Sequence, residues 1–351
     1  MSKISKLDST LITNVRFPLL LLVILSHCVI IRTTTPASFA LNGENIFHMT
    51  ELISRSLGAV AVGGFAIISG YLFFLFPPKR YLDLLKVKAQ SLLLPYILWV
   101  LISILAVWAK NQIALQIGFA PGISDVEIST LNRLSILELM ILPFNGPLWY
   151  IRELIYLVVL SPIIGLLLRY TKVAFPIVMG VIYLLGVQIG VSNSISFYFV
   201  VGAWLGYTGR SLAGSLQIPT YLSLINLMAY LYIVLFLGDY PWYSTIYGIS
   251  SMVLVVSIFT LVQKLTANEA FSHAMASLAP SVFFVYASHT VIFINLFRGF
   301  GYASPLGASP WGHILIQWLT AILTTISAYL LYRVSSRFFP RVTALLCGGR
   351  A

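Results

Sequence analysis

Residues 15–31 read VRFPLLLLVILSHCVII, and from Phe17 to Ile31 only Ser26 and His27 are polar. Coiled into a helix, such a run is apolar on every side, which suits lipid or a deep core but not a water-facing surface. The rest of the chain decides between the two. Of its 351 residues 59% are hydrophobic and 9% charged, and the mean hydropathy is +0.94. A soluble domain carries roughly 25% charged residues. So few charges cannot clothe a body of this size in water, so most of the chain belongs in a bilayer. The 14% of aromatic residues suits two interfacial belts.

A membrane-crossing helix needs about 20 apolar residues. Ten segments qualify or come close: 15–31, 57–76, 91–109, 148–168, 173–191, 195–208, 219–238, 242–262, 280–297 and 311–332. The expectation is an all-α integral membrane fold of about ten transmembrane helices. Tight connections at 191–195 and 238–242 suggest helical hairpins. Long loops are expected at 32–56 and 110–147, the second bearing Asp125, Glu127 and Glu138. No internal repeat stands out. A single membrane domain over 1–351, with no appended soluble domain, is expected.

Lys and Arg placement sets the orientation. With the N-terminus inside, fifteen of the 21 basic residues fall in inner segments and six in outer ones. Both termini are therefore expected in the cytoplasm. The same topology accounts for the net charge of +11. The basic residues recur between apolar runs rather than forming one stripe, so nucleic acid is not an expected partner. Lys3 and Lys6 ahead of the first apolar run resemble a signal peptide. The late start of the run, its histidine and the many spans that follow favour an uncleaved first helix.

Cys28 and Cys347 are the two cysteines. One lies in an apolar run and the other near the C-terminus, so neither a disulfide nor a metal-ligand spacing is expected. Cys28 adjoins His27, but neighbours on a helix point about 100° apart. Cys28 reads as a small apolar filler.

Ionisable groups within membrane helices are costly and mark functional candidates. Arg16 and His27 are eleven residues apart. Eleven helical steps return to within about 20° of the start, some 16 Å along the axis. The pair shares a face, with the cation near the inner mouth and the imidazole deep. A functional reading has Arg16 gripping a phosphate while His27 acts further in. A plainer one has Arg16 snorkelling to headgroups and His27 bonding a neighbouring helix.

The segment from Arg16 to His27 resembles the Arg-x10-His signature of the membrane acyltransferase-3 family. Other stretches match in order. Phe65-Ala-Ile-Ile-Ser69-Gly70-Tyr71-Leu is similar to that family's Phe-x-x-x-Ser-Gly-Tyr/Phe-Leu. Ser91-Leu-Leu-Leu-Pro95-Tyr96 resembles its Leu-x-Pro-Tyr, and Gly146-Pro147-Leu148-Trp149-Tyr150 its Pro-Leu-Trp-Phe/Tyr. Phe199-Val-Val-Gly202-Ala203 and Phe284-Val-Tyr286-Ala-Ser-His289 complete the set. The resemblance implies about ten membrane helices and an acyl-CoA donor, usually acetyl-CoA, taken from the cytoplasm. It implies as acceptor a hydroxyl of a cell-surface glycan or its lipid-linked precursor, and a bacterial-type inner membrane as location. It assigns catalysis to His27, with Arg16 in support.

The chemistry is consistent with that. A buried neutral imidazole can take the proton of a sugar hydroxyl as it attacks a thioester, or can itself carry the acyl group. Lys79, Arg80, Lys86 and Lys88 cluster before the third helix and can bind CoA phosphates as point charges, although the family's Arg-x-x-Arg is missing here. The positive-inside rule explains the same cluster. Trp149, Arg152 and Glu153 share a helix face and offer stacking and hydrogen bonds to a sugar; an interfacial anchor is the other reading. Tyr286 and His289, three apart, are expected to line the pore with His27 or to bond between helices. Ser69-Gly70 reads as a place for close helix packing, with Ser69 a pore-lining candidate. No phosphate-binding loop, dinucleotide turn or Gly-x-Ser-x-Gly elbow occurs, and no metal is expected. A glycan or lipid flippase without acyl chemistry is the competing function.

Overall fold

The computed structural model describes residues 4–30, 35–76, 81–116 and 146–349. Among them every regular element is helical. The helices used below are α1 (Lys6–His27), α2 (Gly43–Leu75), α3 (Tyr81–Lys110), α4 (Trp149–Val159), α5 (Ser161–Thr171), α6 (Ala174–Leu184), α7 (Asn193–Tyr207), α8 (Thr220–Phe236), α9 (Tyr243–Leu265), α10 (Glu269–Ala303) and α11 (Pro310–Phe338). A last short helix, α12, covers Pro340–Leu346.

Each of the ten predicted segments includes helix, but the fifth, 173–191, leaves it after Leu184, so the connection expected at 191–195 is instead residues 185–192. Six helices, α1, α2, α3, α9, α10 and α11, are long and apolar enough to cross a bilayer. The predicted span 148–168 is instead two helices, α4 and α5, bent by 62° at Leu160. Pro162 explains the break: its missing N–H is harmless in the first turn of a new helix and disruptive within an old one. Counted as one, the pair makes a seventh span. α6 and α8 are apolar but shorter, with 11 and 17 residues. At 1.5 Å per residue they reach about 16 and 26 Å, short of a hydrocarbon core of about 30 Å. The expected loop 32–56 is also corrected, since α2 begins at Gly43, where the Asn42 side chain caps the Asn45 N–H at 2.9 Å.

The surface is apolar, as lipid requires. The most apolar window of α11 is only 28% buried, yet its mean hydropathy is 1.8. Polar groups turn inward and pair. Asp8, 2% exposed, accepts from Tyr71 Oη (3.1 Å), Ser211 Oγ (2.8 Å), the Ala213 N–H (2.7 Å) and Ser5 Oγ (2.7 Å). That carboxylate ties the start of α1 to α2 and to the turn after α7. Asn14 donates to Thr266 Oγ1 and Ser272 Oγ at 3.1 and 3.0 Å, joining α1 to the α9–α10 turn. Asn226 and Ser250 exchange two hydrogen bonds across the α8–α9 hairpin. Such pairs hold helices together where lipid removes the hydrophobic drive.

α12 folds back on α3. Trp99 Nε1 donates to the Leu346 carbonyl at 3.1 Å, and Cys347 is buried beside it. Cys28 is buried as well, and no disulfide joins the two.

Candidate functional site

α1 carries Arg16 and His27 on one stripe, as their spacing demands, and the stripe faces the bundle. Arg16 lines a cavity of ≈ 630 Å³ enclosed by α1, α2, α3, α4, α7 and α10. Its polar lining comprises Thr13, Arg16, Ser69, Lys88, Tyr150 and Tyr286, set among Phe65, Leu92, Ile151, Leu154, Phe199 and Phe283. Two cations and four hydroxyl side chains thus share a largely apolar cavity. Lys88 Nζ also lies 5.5 Å from the centre of the Phe73 ring.

Local backbone shape places several of these groups. Lys88 precedes one turn of π-helix at Ala89–Leu93, and a second π turn covers His289–Phe293. Such turns widen a helix and recur at functional sites. Tyr286 donates its hydroxyl to the Pro147 carbonyl just ahead of α4. That contact brings Tyr150 in: its ring meets Tyr286 edge-on at 6.5 Å, and its hydroxyl is 3.4 Å from Ser69 Oγ.

His27 and His289 face each other with ring centres 5.2 Å apart and planes at 49°. His289 is completely buried, whereas His27 is half-buried. His289 Nδ1 lies 2.5 Å from the Tyr286 carbonyl. A carbonyl can only accept, so Nδ1 bears the proton. Nε2 has no hydrogen-bond partner among the described residues.

A second cavity, of ≈ 620 Å³, is lined by Val29, Ile30, Asn295, Arg298, Gly299 and Tyr302. Arg298 Nη2 donates to Asn295 Oδ1 at 2.9 Å. Along α1 and the residues that follow it the order is Arg16, His27, then this cavity; along α10 it is Tyr286, His289, then this cavity. The two imidazoles lie between two chambers, each with an arginine in its wall.

The other predicted residues are distributed as follows. Lys86 is exposed on α3 away from the cavity lining, and Lys79 and Arg80 lie outside the described residues. Trp149, Arg152 and Glu153 occupy the part of α4 turned away from the cavity. Glu153 Oε1 accepts from Arg152 Nη2 at 2.7 Å, and its Oε2 from the Ser192 N–H at 2.9 Å. Arg152 also stacks over Tyr156 at 6.0 Å. Sequence reasoning missed Tyr150, which shares a helix face with Leu154 and Val158; a period count along α4 would have found it. It also missed Thr13, three residues before Arg16, and Arg298. Among the described residues no three His, Cys, Asp or Glu side chains converge as metal ligands would.

A family model described as an acyltransferase domain matches residues 11–333. The succinoglycan biosynthesis protein ExoH of Rhizobium meliloti (strain 1021) is 30% identical over 165 residues, which is 46% of this chain and 44% of that protein. The chain thus aligns with less than half the length of that relative. No solved structure matches.

Proposed function

Since the chain belongs to the acyltransferase-3 family, we propose that this multi-pass membrane protein moves an acyl group, acetyl first among candidates, from acyl-CoA to a hydroxyl of a cell-envelope polysaccharide or its lipid-linked precursor. The polysaccharide acceptor is supported by the similarity to a succinoglycan biosynthesis protein. In this reading the protein sits in a bacterial inner membrane with both termini in the cytoplasm. The carrying observation is the order of the Arg16 chamber, His27 and the Arg298 chamber along α1 and the residues that follow it.

The Arg16 chamber receives the thioester. Arg16 and Lys88 hold the phosphates of CoA, with Lys79, Arg80 and Lys86 as outer cations that draw the donor in. The pantetheine arm runs between Phe65, Leu92, Leu154 and Phe283, and the thioester points up α1 toward His27. The acceptor approaches from the Arg298 chamber. His27 takes the proton of the acceptor hydroxyl as its oxygen bonds to the thioester carbonyl carbon. The carbon–sulfur bond breaks, and the departing thiolate takes that proton from His27. The products are an ester and free CoA thiol. Ser69 and Tyr150 line the path of the acyl group and offer hydroxyls to its carbonyl oxygen, while Tyr286, whose hydroxyl is held by the Pro147 carbonyl, lines it with its ring.

The test is transfer of label from acetyl-CoA or succinyl-CoA to surface polysaccharide in membranes containing the protein. Transfer that is lost in His27→Ala and kept in His313→Ala supports the reading. Absence of transfer and of CoA binding with every donor and acceptor tried favours the flippase instead.

A further inference from the structure

We infer that His289 is the positioning residue for His27, its Nε2 lone pair accepting the N–H that fixes which nitrogen His27 presents to substrate. The inference rests on the acyltransferase reading for its consequence, but its geometry stands apart from that reading.

The hydrogen bond from His289 Nδ1 to the Tyr286 carbonyl assigns the proton of the neutral ring, leaving Nε2 a bare acceptor. Nε2 is sealed from solvent and has no described partner. A buried acceptor without a donor is costly, and folded proteins seldom retain one without use. The neighbouring ring that can supply a donor is His27. With ring centres 5.2 Å apart, facing nitrogens can close to about 3 Å, a hydrogen-bond distance. A small rotation of the half-buried His27 completes the bond, because His289 is anchored by Tyr286 and by the π turn that begins at its own position.

The consequence is a tautomer lock. When one His27 nitrogen donates to His289, the other keeps its lone pair and is available to a hydroxyl proton. Once that proton arrives, the imidazolium retains its bond to a neutral acceptor. A carboxylate does this for the histidine of many hydrolytic triads. Here an imidazole does it, and adds no net charge to the membrane interior, where charge is expensive.

Two substitutions separate positioning from packing. His289→Gln can present a carbonyl oxygen near the place of Nε2; His289→Asn can keep the donor toward Tyr286 but presents nothing there. The expectation for His289→Asn is a fall in kcat of about 100-fold with the KM for acetyl-CoA or succinyl-CoA unchanged within about threefold, and for His289→Gln recovery of at least a tenth of wild-type kcat. Equal activity of both variants and the wild type overturns the inference while leaving the acyltransferase reading intact. A readout free of activity covers the case in which neither variant accumulates. In protein labelled with 15N-histidine, the unprotonated His289 nitrogen should shift when His27 is replaced by Ala. No shift in that signal overturns the inference.

Discussion

Gly202 of α7 lies directly against the carbonyl of Ile67 on α2: a methyl group added to it would stand 2.0 Å from that oxygen. Gly70 reciprocates one turn on, with 2.0 Å to the Phe199 oxygen, and Gly206 extends the row with 2.3 Å to the Tyr71 oxygen. The backbones of α2 and α7 therefore touch, and neither can yield, because the obstacles are main-chain carbonyls. Overpacking a core costs about 1–3 kcal/mol where side chains can shift. Gly202→Ala and Gly70→Ala are expected at or above the top of that range, seen as a large fall in the thermal midpoint in detergent. Gly165→Ala is the control. Its nearest neighbour would be Phe74 at 3.5 Å, ordinary contact, so a helix-favouring change of about 0.4–1 kcal/mol toward stability is expected there.

That contact explains why some motif residues were legible and others not. Ser69-Gly70 could be read as a packing site because a missing Cβ has one strong meaning between membrane helices, whereas Gly202-Ala203, which it meets, was read only as part of a motif. Arg16 and His27 could be read because an ionisable group in an apolar run needs a reason. Asp8 could not: it sits at the polar start of α1, where an acidic residue is ordinary, and its four donors come from residues 5, 71, 211 and 213. The bend at Leu160 was hidden because apolarity continues across it. The π turns have no compositional mark, yet they border Lys88 and set His289. Apolar runs give the existence of helices, whereas pairing between helices depends on contacts hundreds of residues apart.

Asp8 gives a prediction of stability without loss of donor affinity. Asp8→Ala leaves the buried Ala213 N–H, Ser211 and Tyr71 without their shared acceptor. Hydrogen bonds to a charged group contribute about 1.5–3 kcal/mol, and removing one partner strands the others. The expected loss is about 3 kcal/mol, read from thermal unfolding. The KM for acyl-CoA should be unchanged in the folded fraction, since Asp8 does not line the Arg16 chamber. A variant as stable as wild type would show that this carboxylate does not join α1 to its neighbours.

In the proposed reading Arg16 and Lys88 divide the donor-binding role. Both line the chamber, but only a guanidinium can grip phosphate oxygens in a fork. Arg16→Ala is expected to raise the KM for acyl-CoA by roughly 10–100-fold, the equivalent of one or two charge-assisted hydrogen bonds. Arg16→Lys should recover only part of that. Lys88→Ala, which removes a point charge, is expected to cost less than 10-fold and to lose its effect at high salt. A KM insensitive to both substitutions would move the CoA phosphates out of this chamber.

Tyr286→Phe isolates the hydroxyl that braces the start of α4. The ring can still meet Tyr150 and His289, so apolar packing is conserved. What is lost is the donor to the Pro147 carbonyl, which is then left buried without that bond. The cost is expected at about 1–3 kcal/mol. Because Pro147 leads directly into Tyr150, the loosened segment should also let Tyr150 drift from Ser69. Turnover is then expected to fall by about 10-fold, while binding of CoA itself, which the proposed function assigns to Arg16, stays within threefold. Equal losses of CoA binding and turnover in Tyr286→Phe would mean that the hydroxyl supports the whole chamber rather than the acyl end of it.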